Sequence, residues 1–321
     1  MHPLIVALLL GLLGCGGGTT GASAPAPPGP SARATAPMHP SGLDVVLLGT
    51  GTPVADPARH GPSTGLVFGG RGLVVDTGPG VVRRLAEAAK LHGQPALEPG
   101  NVGLVLLTHL HSDHTTGLPD LLLGGWVLGR SLPVEVIGPP GTRALVDGIL
   151  SAWSYDRSIR QAPGGEELPR RGIDVVVREI EEDGVVLDTG GLVVRAFHVP
   201  HGIFEHAFGY RLEVDGRSVV ISGDTDKSDA VAKACGGCDL LIHEAYSARG
   251  YAAVDSPSFH HYHGTFHTSA VEVGEVATAA GAKEVVLYHQ LFFGDSAANM
   301  VEEVRTTFAG PVRSGVDLQR L

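Results

Sequence analysis

The sequence is poor in cysteine and in positive charge. Three cysteines in 321 residues cannot cross-link a domain of this size, so the fold must depend on a hydrophobic core or on bound metal. Lys and Arg number 23 against 34 Asp and Glu, for a net charge of −11, the opposite of the balance usual in proteins that wrap nucleic acid. The apolar run Leu4–Leu13 is also shorter than the about 20 residues that a membrane-spanning helix needs.

Hydrophobic residues and histidines are plentiful instead. Hydrophobic residues make up 43% of the chain, which is enough to bury the core of one large domain or two small ones. The histidine count of 16 is unusually high. Such a chain is globular, and its histidines are the first candidates for chemistry.

The first 41 residues differ in composition from the rest. The run Leu4–Leu13 is typical of a signal-peptide core, and Leu12-Leu13-Gly14-Cys15 resembles the lipobox of bacterial lipoproteins. We therefore predict a signal peptide with a lipobox cysteine over 1–15, a Gly/Pro/Ala-rich linker over 16–41 and a folded domain over 42–321. We expect export and lipid anchoring in the bacterial cell envelope, on its periplasmic or surface side, with membrane contact through the lipid only. A plain secretory peptide, or a mis-assigned start codon with Cys15 an idle thiol, are the alternatives.

From Gly42 onward, short apolar runs bounded by Gly or Pro alternate with stretches of helical spacing. The runs predict strands beginning near Asp44, Thr64, Gly72, Val102 and Pro133. A later set of predicted strands covers Ile173–Ile180, Leu192–Phe197, Ala207–Val214, Ser218–Ser222, Asp239–His243 and Glu284–His289. Helices are predicted over Val81–Leu91, Leu118–Leu128, Arg143–Ile159, Ser228–Cys235, Ser269–Ala280 and Ala297–Phe308. This order favours two mixed β-sheets covered by helices.

Four potential metal ligands follow the predicted strand that begins at Val102. They are His109, His111, Asp113 and His114. Imidazole nitrogen with carboxylate oxygen is a ligand mixture that zinc accepts. Residues two apart on an extended chain point the same way, so His109 and His111 can serve one ion while Asp113 and His114 serve another.

The pattern HxHxDH after an apolar strand resembles the signature of the metallo-β-lactamase superfamily. The segments that resemble its other motifs are Leu48–Pro53, Val75–Gly80, Val199–Gly202 with Phe208–Arg211, Ser222–Thr225 and Leu287–His289. They are closest to the ribonuclease Z, arylsulfatase-like and phosphodiesterase-like branch. The resemblance implies an α+β fold, a four-layer αββα sandwich of two mixed β-sheets flanked by helices.

The resemblance also implies a dinuclear site for two Zn²⁺, although the same ligands accept manganese or iron. Carried over by position, one ion is held by His109, His111 and His201, and the other by Asp113, His114 and His289. Asp224 would bridge both ions, and a metal-bridging hydroxide would attack the substrate. His198 stays open as the alternative to His201, although the spacing to Phe208 favours His201. Asp76 is expected to support the ligand loops by hydrogen bonds.

A proton donor is also implied. Leu241–Ala245 is similar to the motif in which a glutamate orients a histidine, here Glu244 and His267. A histidine held by a carboxylate suits protonation of a leaving group, and Asp113 is expected both to bind metal and to steer the attacking water. His260, His261 and His263 either line the mouth of the pocket or lie in a solvated loop. Cys235 and Cys238 are predicted to be small buried residues, or a disulfide outside the cytoplasm.

The sequence favours a dinuclear zinc hydrolase that cleaves a small anionic ester, either a phosphodiester or an aryl sulfate. The first alternative is a ribonuclease Z-like endonuclease that processes the 3′ end of transfer RNA. The acidic balance and the short segment between Trp153 and Ile173 argue against RNA, so nucleic acid is not expected as a partner. A tethered metal-binding protein without turnover is a further alternative, and the oligomeric state, a homodimer included, stays open.

Overall fold

The computed structural model describes residues 42–321. The predicted signal peptide, the lipobox Cys15 and the 16–41 linker lie outside the described residues, so these predictions and the domain boundary at Gly42 stay predictions. Among residues 42–321, no helix combines the length and the hydrophobicity needed to cross a membrane.

Thirteen strands and ten helices make up the described part of the chain. The strands are β1 Leu43–Gly49, β2 Ser63–Phe68, β3 Arg71–Val75, β4 Val102–Leu106, β5 Val134–Gly138, β6 Val175–Glu179, β7 Gly184–Thr189, β8 Leu192–His198, β9 Phe208–Val214, β10 Arg217–Ile221, β11 Leu240–Tyr246, β12 Val285–Leu291 and β13 Val312–Ser314. The helices are α1 Val81–His92, α2 Ser112–Thr115, α3 Leu118–Val127, α4 Thr142–Ala152, α5 Ser154–Gln161, α6 Asp229–Cys235, α7 Ala248–Ala252, α8 Pro257–Phe266, α9 Ala270–Ala280 and α10 Ala297–Arg305. Short 3₁₀ turns cover Pro95–Leu97 and Arg170–Ile173.

The strands form two mixed sheets. The first has the order β1-β2-β3-β4-β5-β6 and the second the order β13-β12-β11-β10-β9-β8-β7. In each sheet, antiparallel hairpins occupy one side and parallel strands the other. Strands β8, β10, β11 and β12 run in one direction, so their carboxyl ends lie at one edge of the second sheet.

Hydrophobic residues divide into three buried layers because successive side chains of a strand point to opposite faces. In β1, Val45 and Leu47 lie between the two sheets, where they join residues such as Phe208 and Leu212. The alternate β1 residues pack instead against α1, α3 and α4. A third layer lies between the second sheet and α6, α9 and α10. The predicted four-layer αββα sandwich is confirmed.

Several predicted elements differ from the observed ones. The helix predicted over Arg143–Ile159 is two helices, α4 and α5, which are separated at Trp153. Helix α5 buries none of its residues. It has no apolar face whose direction could have shown in the sequence that it is separate from α4. Strands β7 and β13 and helices α2, α7 and α8 were not predicted. Cys235 and Cys238 are bonded to each other and both are fully buried.

The segments Leu48–Pro53 and Val75–Gly80 both pack closely against the backbone of Gly61. A Cβ atom at Gly49 would lie 2.0 Å from the carbonyl oxygen of Gly61, and one at Gly78 would lie 2.3 Å from the carbonyl carbon of Gly61. Such separations leave no room for any side chain. The backbone N–H of Asp76 donates to the carbonyl oxygen of Leu106 at 2.8 Å, and that of Thr77 donates to the carbonyl oxygen of His114 at 2.8 Å. These bonds hold the loop after β3 close to the end of β4, where the histidine motif begins.

Candidate metal centre

The first group of polar side chains lies where the loop after β4 meets the loop after β8. Nδ1 of His111 is 3.0 Å from Nε2 of His109 and 3.1 Å from Nε2 of His201. The Oδ2 atom of Asp224, after β10, is 3.9 Å from Nε2 of His109. These four side chains could share one cation, and His109 and His201 are fully buried.

The second group lies beside the first. Nε2 of His289 is 3.3 Å from Oδ2 of Asp113, and Nε2 of His114 is 3.6 Å from the same oxygen. The Oδ2 atom of Asp224 is 3.3 Å from both of these nitrogens. A single carboxylate oxygen therefore faces both groups, which is the position that a bridging ligand takes.

Backbone geometry places two of these side chains. Gly223 has φ +65°, and a Cβ there would lie 2.5 Å from the carbonyl oxygen of Phe208. Only glycine fits this turn, which directs Asp224 back over the sheet edge. His289 lies at an irregularity in the pairing of β11 with β12 and has φ +43°.

Hydrogen bonds fix the orientation of the rings. Nδ1 of His201 lies 2.8 Å from the carbonyl oxygen of Phe266, and Nδ1 of His109 lies 3.0 Å from Oγ1 of Thr108. The Thr108 hydroxyl in turn donates to Oδ2 of Asp76 at 2.8 Å. Each contact occupies the nitrogen that faces away from the group, so the other nitrogen is available for a metal. The expected supporting role of Asp76 agrees with these bonds.

The histidines of the two groups differ in protonation state. Burial lowers the pKa of His109 well below its usual value and lowers the pKa of His201 to about 4. Burial opposes ionisation of Asp224, but His289 and His114 hold the pKa of this carboxyl well below its usual range. Burial lowers the pKa of His114 and His289, but Asp224 raises the pKa of both above the usual value, with help from Asp76 at His114 and from Asp113 at His289. His109 and His201 are thus ready to coordinate as neutral imidazoles, whereas a cation would have to displace protons from His114 and His289.

The donor set fits a pair of divalent ions. A tetrahedral ion with ligand bonds of about 2.1 Å separates its ligand atoms by roughly 3.4 Å, close to the distances within both groups. Nε2 of His114 and Oδ1 of Asp224 are buried without a hydrogen-bond partner in the described structure. Such atoms are costly unless a further group satisfies them, and a cation would satisfy both.

The predicted proton-donor pair lies next to Asp224. Nδ1 of His267 is 3.4 Å from Oε2 of Glu244 and 4.0 Å from Oδ2 of Asp224. Oε1 of Glu244 accepts the backbone N–H groups of Thr268 at 2.9 Å and Thr225 at 3.3 Å. Glu244 therefore connects the Asp224 loop to the segment that carries His267.

All the predicted site residues converge. The seven proposed ligands form the two groups, and Glu244 and His267 adjoin them; their roles as ligands and proton donor stay predictions. His198 lies elsewhere: its Nδ1 is 2.7 Å from Oδ1 of Asp183, and its side chain is 36% exposed. The geometry therefore favours His201 over His198 as the ligand.

Aromatic residues around the centre were missed by the sequence argument. The ring of Phe204 packs on His111 at 4.5 Å between centroids, and the ring of Phe266 meets His201 at 5.0 Å. The segment with His260, His261 and His263 is helix α8 rather than a loop. The four-residue spacing of Tyr262 and Phe266, one helical turn, was the available signal.

A family profile described as "Beta-lactamase superfamily domain" matches residues 71–290. The chain is 32% identical over 286 residues to the ribonuclease Z of Mycobacterium bovis, strain BCG / Pasteur 1173P2, and the match covers 87% of this chain and 98% of that protein. It is 34% identical over 288 residues to the ribonuclease Z of Mycobacterium marinum, with the same coverage.

Among solved structures, the human tRNase Z, short form, superposes with a TM-score of 0.64 at 24% identity, over 87% of this chain and 98% of that chain. This likeness concerns the fold. The names of the curated relatives point to RNA as a substrate, against the expectation that nucleic acid is not a partner. They support the ribonuclease Z-like alternative better than the small-ester hypothesis, and nothing among them supports an aryl sulfate.

Proposed function

The chain belongs to the metallo-β-lactamase superfamily, and on this basis we propose that it hydrolyses phosphodiester bonds in RNA, as a ribonuclease Z-like enzyme. The protein is a hydrolase of ester bonds. The observation that carries the RNA proposal is the match to ribonuclease Z proteins over 98% of their length. Oδ2 of Asp224 faces both groups of proposed ligands, and this supports a site for two metal ions.

Seven side chains would hold the ions. His109, His111 and His201 would bind one ion and Asp113, His114 and His289 the other, with Asp224 between them. Zinc fits this mixture of nitrogen and oxygen ligands, which also accepts manganese or iron. When bound, two such ions supply Lewis acidity that activates water and stabilises negative charge on the phosphoryl group.

Glu244 and His267 would deliver a proton to the leaving oxygen. Burial raises the pKa of Glu244 well above its usual value, and burial lowers the pKa of His267 to about 4. These opposite shifts favour a proton on Glu244 over one on His267, and Oε2 of Glu244 lies 3.4 Å from Nδ1 of the imidazole. Negative charge that develops on the leaving oxygen would stabilise an imidazolium at His267, which could then donate that proton.

A second candidate, a small phosphodiester, is favoured by the charge of the segment between Trp153 and Val175. Arg160 in α5 pairs with Asp156 at 2.9 Å and with Glu166 at 2.7 Å, and Arg157 donates to the carbonyl oxygen of Leu150. An arginine paired with two carboxylates, as Arg160 is, has less charge to offer to an RNA backbone. This segment gives no extended basic arm.

The two candidates are separated by comparing kcat/KM for a precursor transfer RNA with a 3′ trailer, bis(p-nitrophenyl) phosphate and p-nitrophenyl sulfate. The RNA proposal expects 3′ cleavage of the precursor with the highest kcat/KM, and loss of that cleavage in Asp224→Ala. Asp183→Asn, at an exposed carboxylate that pairs with His198, is the matched control. Turnover of the diester without cleavage of RNA would refute the RNA proposal, and a preference for the sulfate would refute both phosphodiester candidates.

We also propose export with lipid anchoring at Cys15. The support is the lipobox-like sequence Leu12–Cys15 and the linker that follows it. Incorporation of labelled palmitate that is lost in Cys15→Ala would support anchoring, whereas equal labelling would refute it. An anchored enzyme would meet RNA outside the cytoplasm.

A further inference from the structure

A row of stacked rings leads from the histidine ligands to the protein surface. Tyr262 and Phe266 lie one turn apart on α8, and their rings stack with centroids 4.3 Å apart at an interplanar angle of 21°. The ring of Phe266 lies parallel to that of His111 at 6.3 Å, and its edge contact with His201 is 5.0 Å. The rings of Tyr262 and Phe266 together form an aromatic wall that begins at two proposed metal ligands, His111 and His201. Tyr262 is the outermost ring of this wall.

The outer ring is open to solvent, whereas the inner one is not. Tyr262 is 43% exposed and Phe266 is 9% exposed. Burial raises the pKa of the Tyr262 hydroxyl, and the charges of Asp224 and Asp113 raise it further. The Tyr262 ring thus lies at the protein surface, one ring beyond Phe266, which itself contacts His111 and His201.

The wall is held rigidly. The backbone N–H of Gly202 donates to the carbonyl oxygen of Thr265 at 3.0 Å, and a Cβ at Gly202 would lie 2.1 Å from the Phe266 ring. On the other side of α8, Tyr251 donates its hydroxyl to the carbonyl oxygen of His260 at 2.8 Å. A surface that is fixed before a ligand arrives loses little conformational entropy when the ligand binds.

The chemistry of the wall suits a flat, uncharged group. The ring of His263 lies 5.0 Å from that of Tyr262, and burial lowers the pKa of His263 to about 4, so this neighbour is neutral at pH 7. An exposed tyrosine face that is supported from behind by a second ring attracts the π-face of another aromatic group. In a nucleic-acid substrate that group is a base, since every base has a π-face.

We propose that Tyr262 is a substrate-binding residue whose outer ring face stacks on the nucleobase attached to the scissile phosphate. This inference rests on the proposed function, because it assigns the substrate of the same site. In this arrangement the base lies beside α8 while the scissile phosphate occupies the metal centre. Stacking is tolerant of base identity, so the residue would position the substrate without selecting one base.

Binding measured by titration calorimetry on the metal-loaded, full-length protein tests the proposal without turnover. The probes are uridine 5′-monophosphate, phenyl phosphate and methyl phosphate, and the variants are Tyr262→Ala and Tyr262→Phe. Tyr155→Ala is the control, because Tyr155 is 78% exposed and lies on α5. Tyr262→Ala should weaken binding of the nucleotide about tenfold, the lower part of the range for loss of one stacked base. Tyr262→Phe keeps the ring and should keep the affinity, while methyl phosphate should bind all variants equally.

An unchanged affinity of Tyr262→Ala for the nucleotide would overturn the proposal. An equal loss for methyl phosphate would also overturn it, because the metal centre itself would then be disturbed. A loss confined to phenyl phosphate would overturn the assignment to a nucleobase. Melting temperatures of the variants check that each is folded.

Turnover separates this inference from the proposed function. Thymidine 5′-(p-nitrophenyl phosphate) and methyl p-nitrophenyl phosphate release the same leaving group, and only the first carries a base. Tyr262→Ala should raise KM about tenfold for the first and leave KM for the second unchanged. A parent enzyme that hydrolyses neither ester nor RNA would refute the proposed function, and the calorimetry would still decide the stacking role.

Discussion

Asp76 and His114 form a buried pair in which Oδ2 of the carboxylate lies 2.9 Å from Nδ1 of the imidazole. The same carboxylate accepts the backbone N–H and the hydroxyl of Thr108, each at 2.8 Å. Asp76 also has φ +58°, which is uncommon outside glycine. The pair thus joins the loop after β3 to the histidine motif after β4. It also keeps the proton of His114 on Nδ1, so that Nε2 can bind a metal.

The first prediction concerns Asp76→Asn. An amide can accept from only one side, so either the N–H of Thr108 or Nδ1 of His114 would face an NH₂ group. The variant should bind metal about 10–100-fold more weakly, the usual cost of losing such a supporting contact. Competition with a chromogenic chelator measures this affinity. Asp183→Asn is the control, and equal affinities of the two variants would contradict the role of Asp76.

The second prediction separates His201 from His198. His201→Ala removes a side chain of the first group and should lower bound metal and reduce kcat/KM by about 100-fold or more, because metal-ion stabilisation is worth several kcal/mol. His198→Ala should change neither quantity, since His198 pairs with Asp183 at the surface. Elemental analysis and hydrolysis of bis(p-nitrophenyl) phosphate provide both readouts. The reverse pattern would refute the ligand set.

The third prediction concerns the leaving group. A phenolate with a low pKa departs without a proton, whereas a poor leaving group needs one. His267→Ala should therefore lower kcat by about 10²–10⁴-fold for diesters with poor leaving groups and much less for p-nitrophenyl esters. Glu244→Gln keeps an acceptor for the backbone N–H groups. It should also lower kcat more for diesters with poor leaving groups than for p-nitrophenyl esters, but by a smaller factor than His267→Ala. Equal losses across a series of leaving groups would remove His267 as the acid.

The fourth prediction concerns pH and stability. Burial lowers the pKa of His243 to about 4, whereas the unfolded chain binds this proton near pH 6.5. The unfolded state therefore holds more protons between these values, and stability is lost as the pH falls from 6.5 towards 4. From pH 7 to pH 5, His243→Asn should lose about 2 kcal/mol less free energy of unfolding than the parent. Urea unfolding at both pH values measures the difference, and identical losses would contradict it.

The fifth prediction concerns Gly202→Ala. The residue has φ +54°, and its Cβ would overlap the ring of Phe266. Gly216 has φ +80° in the hairpin between β9 and β10, with no atom within 4 Å of its Cβ position. Gly216→Ala therefore carries only the backbone cost, and Gly202→Ala should be less stable than this control by about 1–3 kcal/mol, the range for overpacking. Equal destabilisation in urea would show that the loop moves away from α8 without cost.

Much of the fold was visible in the sequence because its strands are short apolar runs bounded by Gly or Pro. The predicted strands Ala207–Val214 and Ser218–Ser222 correspond to β9 and β10, and Asp215 and Gly216 between them have positive φ. Helix α8 was not predicted, because its polar histidines and its weak amphipathic pattern resemble those of a loop. Its position is fixed by tertiary contacts such as that between Phe259 and Phe293.

The site was predictable where its residues are adjacent in sequence. His109, His111, Asp113 and His114 occupy one loop, so a local pattern identified them. The choice between His198 and His201 depended on which of the two rings turns towards the loop after β4. The ring of His201 is oriented by its hydrogen bond to the carbonyl oxygen of Phe266, 65 residues away in the sequence, and such a distant contact cannot be read from a local pattern. The stacking of Tyr262 on Phe266 is local, but its relation to the centre depends on where α8 ends.

The proposed ligands are divided between the two sheets. Four come from the loop after β4 in the first sheet, and three come from the ends of β8, β10 and β12 in the second. A shear of one sheet along the other would separate His109 from His201 while each sheet kept all its internal hydrogen bonds. The hydrophobic side chains packed between the sheets therefore set the distance between His109 and His201. A substitution that loosens this packing should lower the rate of hydrolysis even though it lies far from the metal centre.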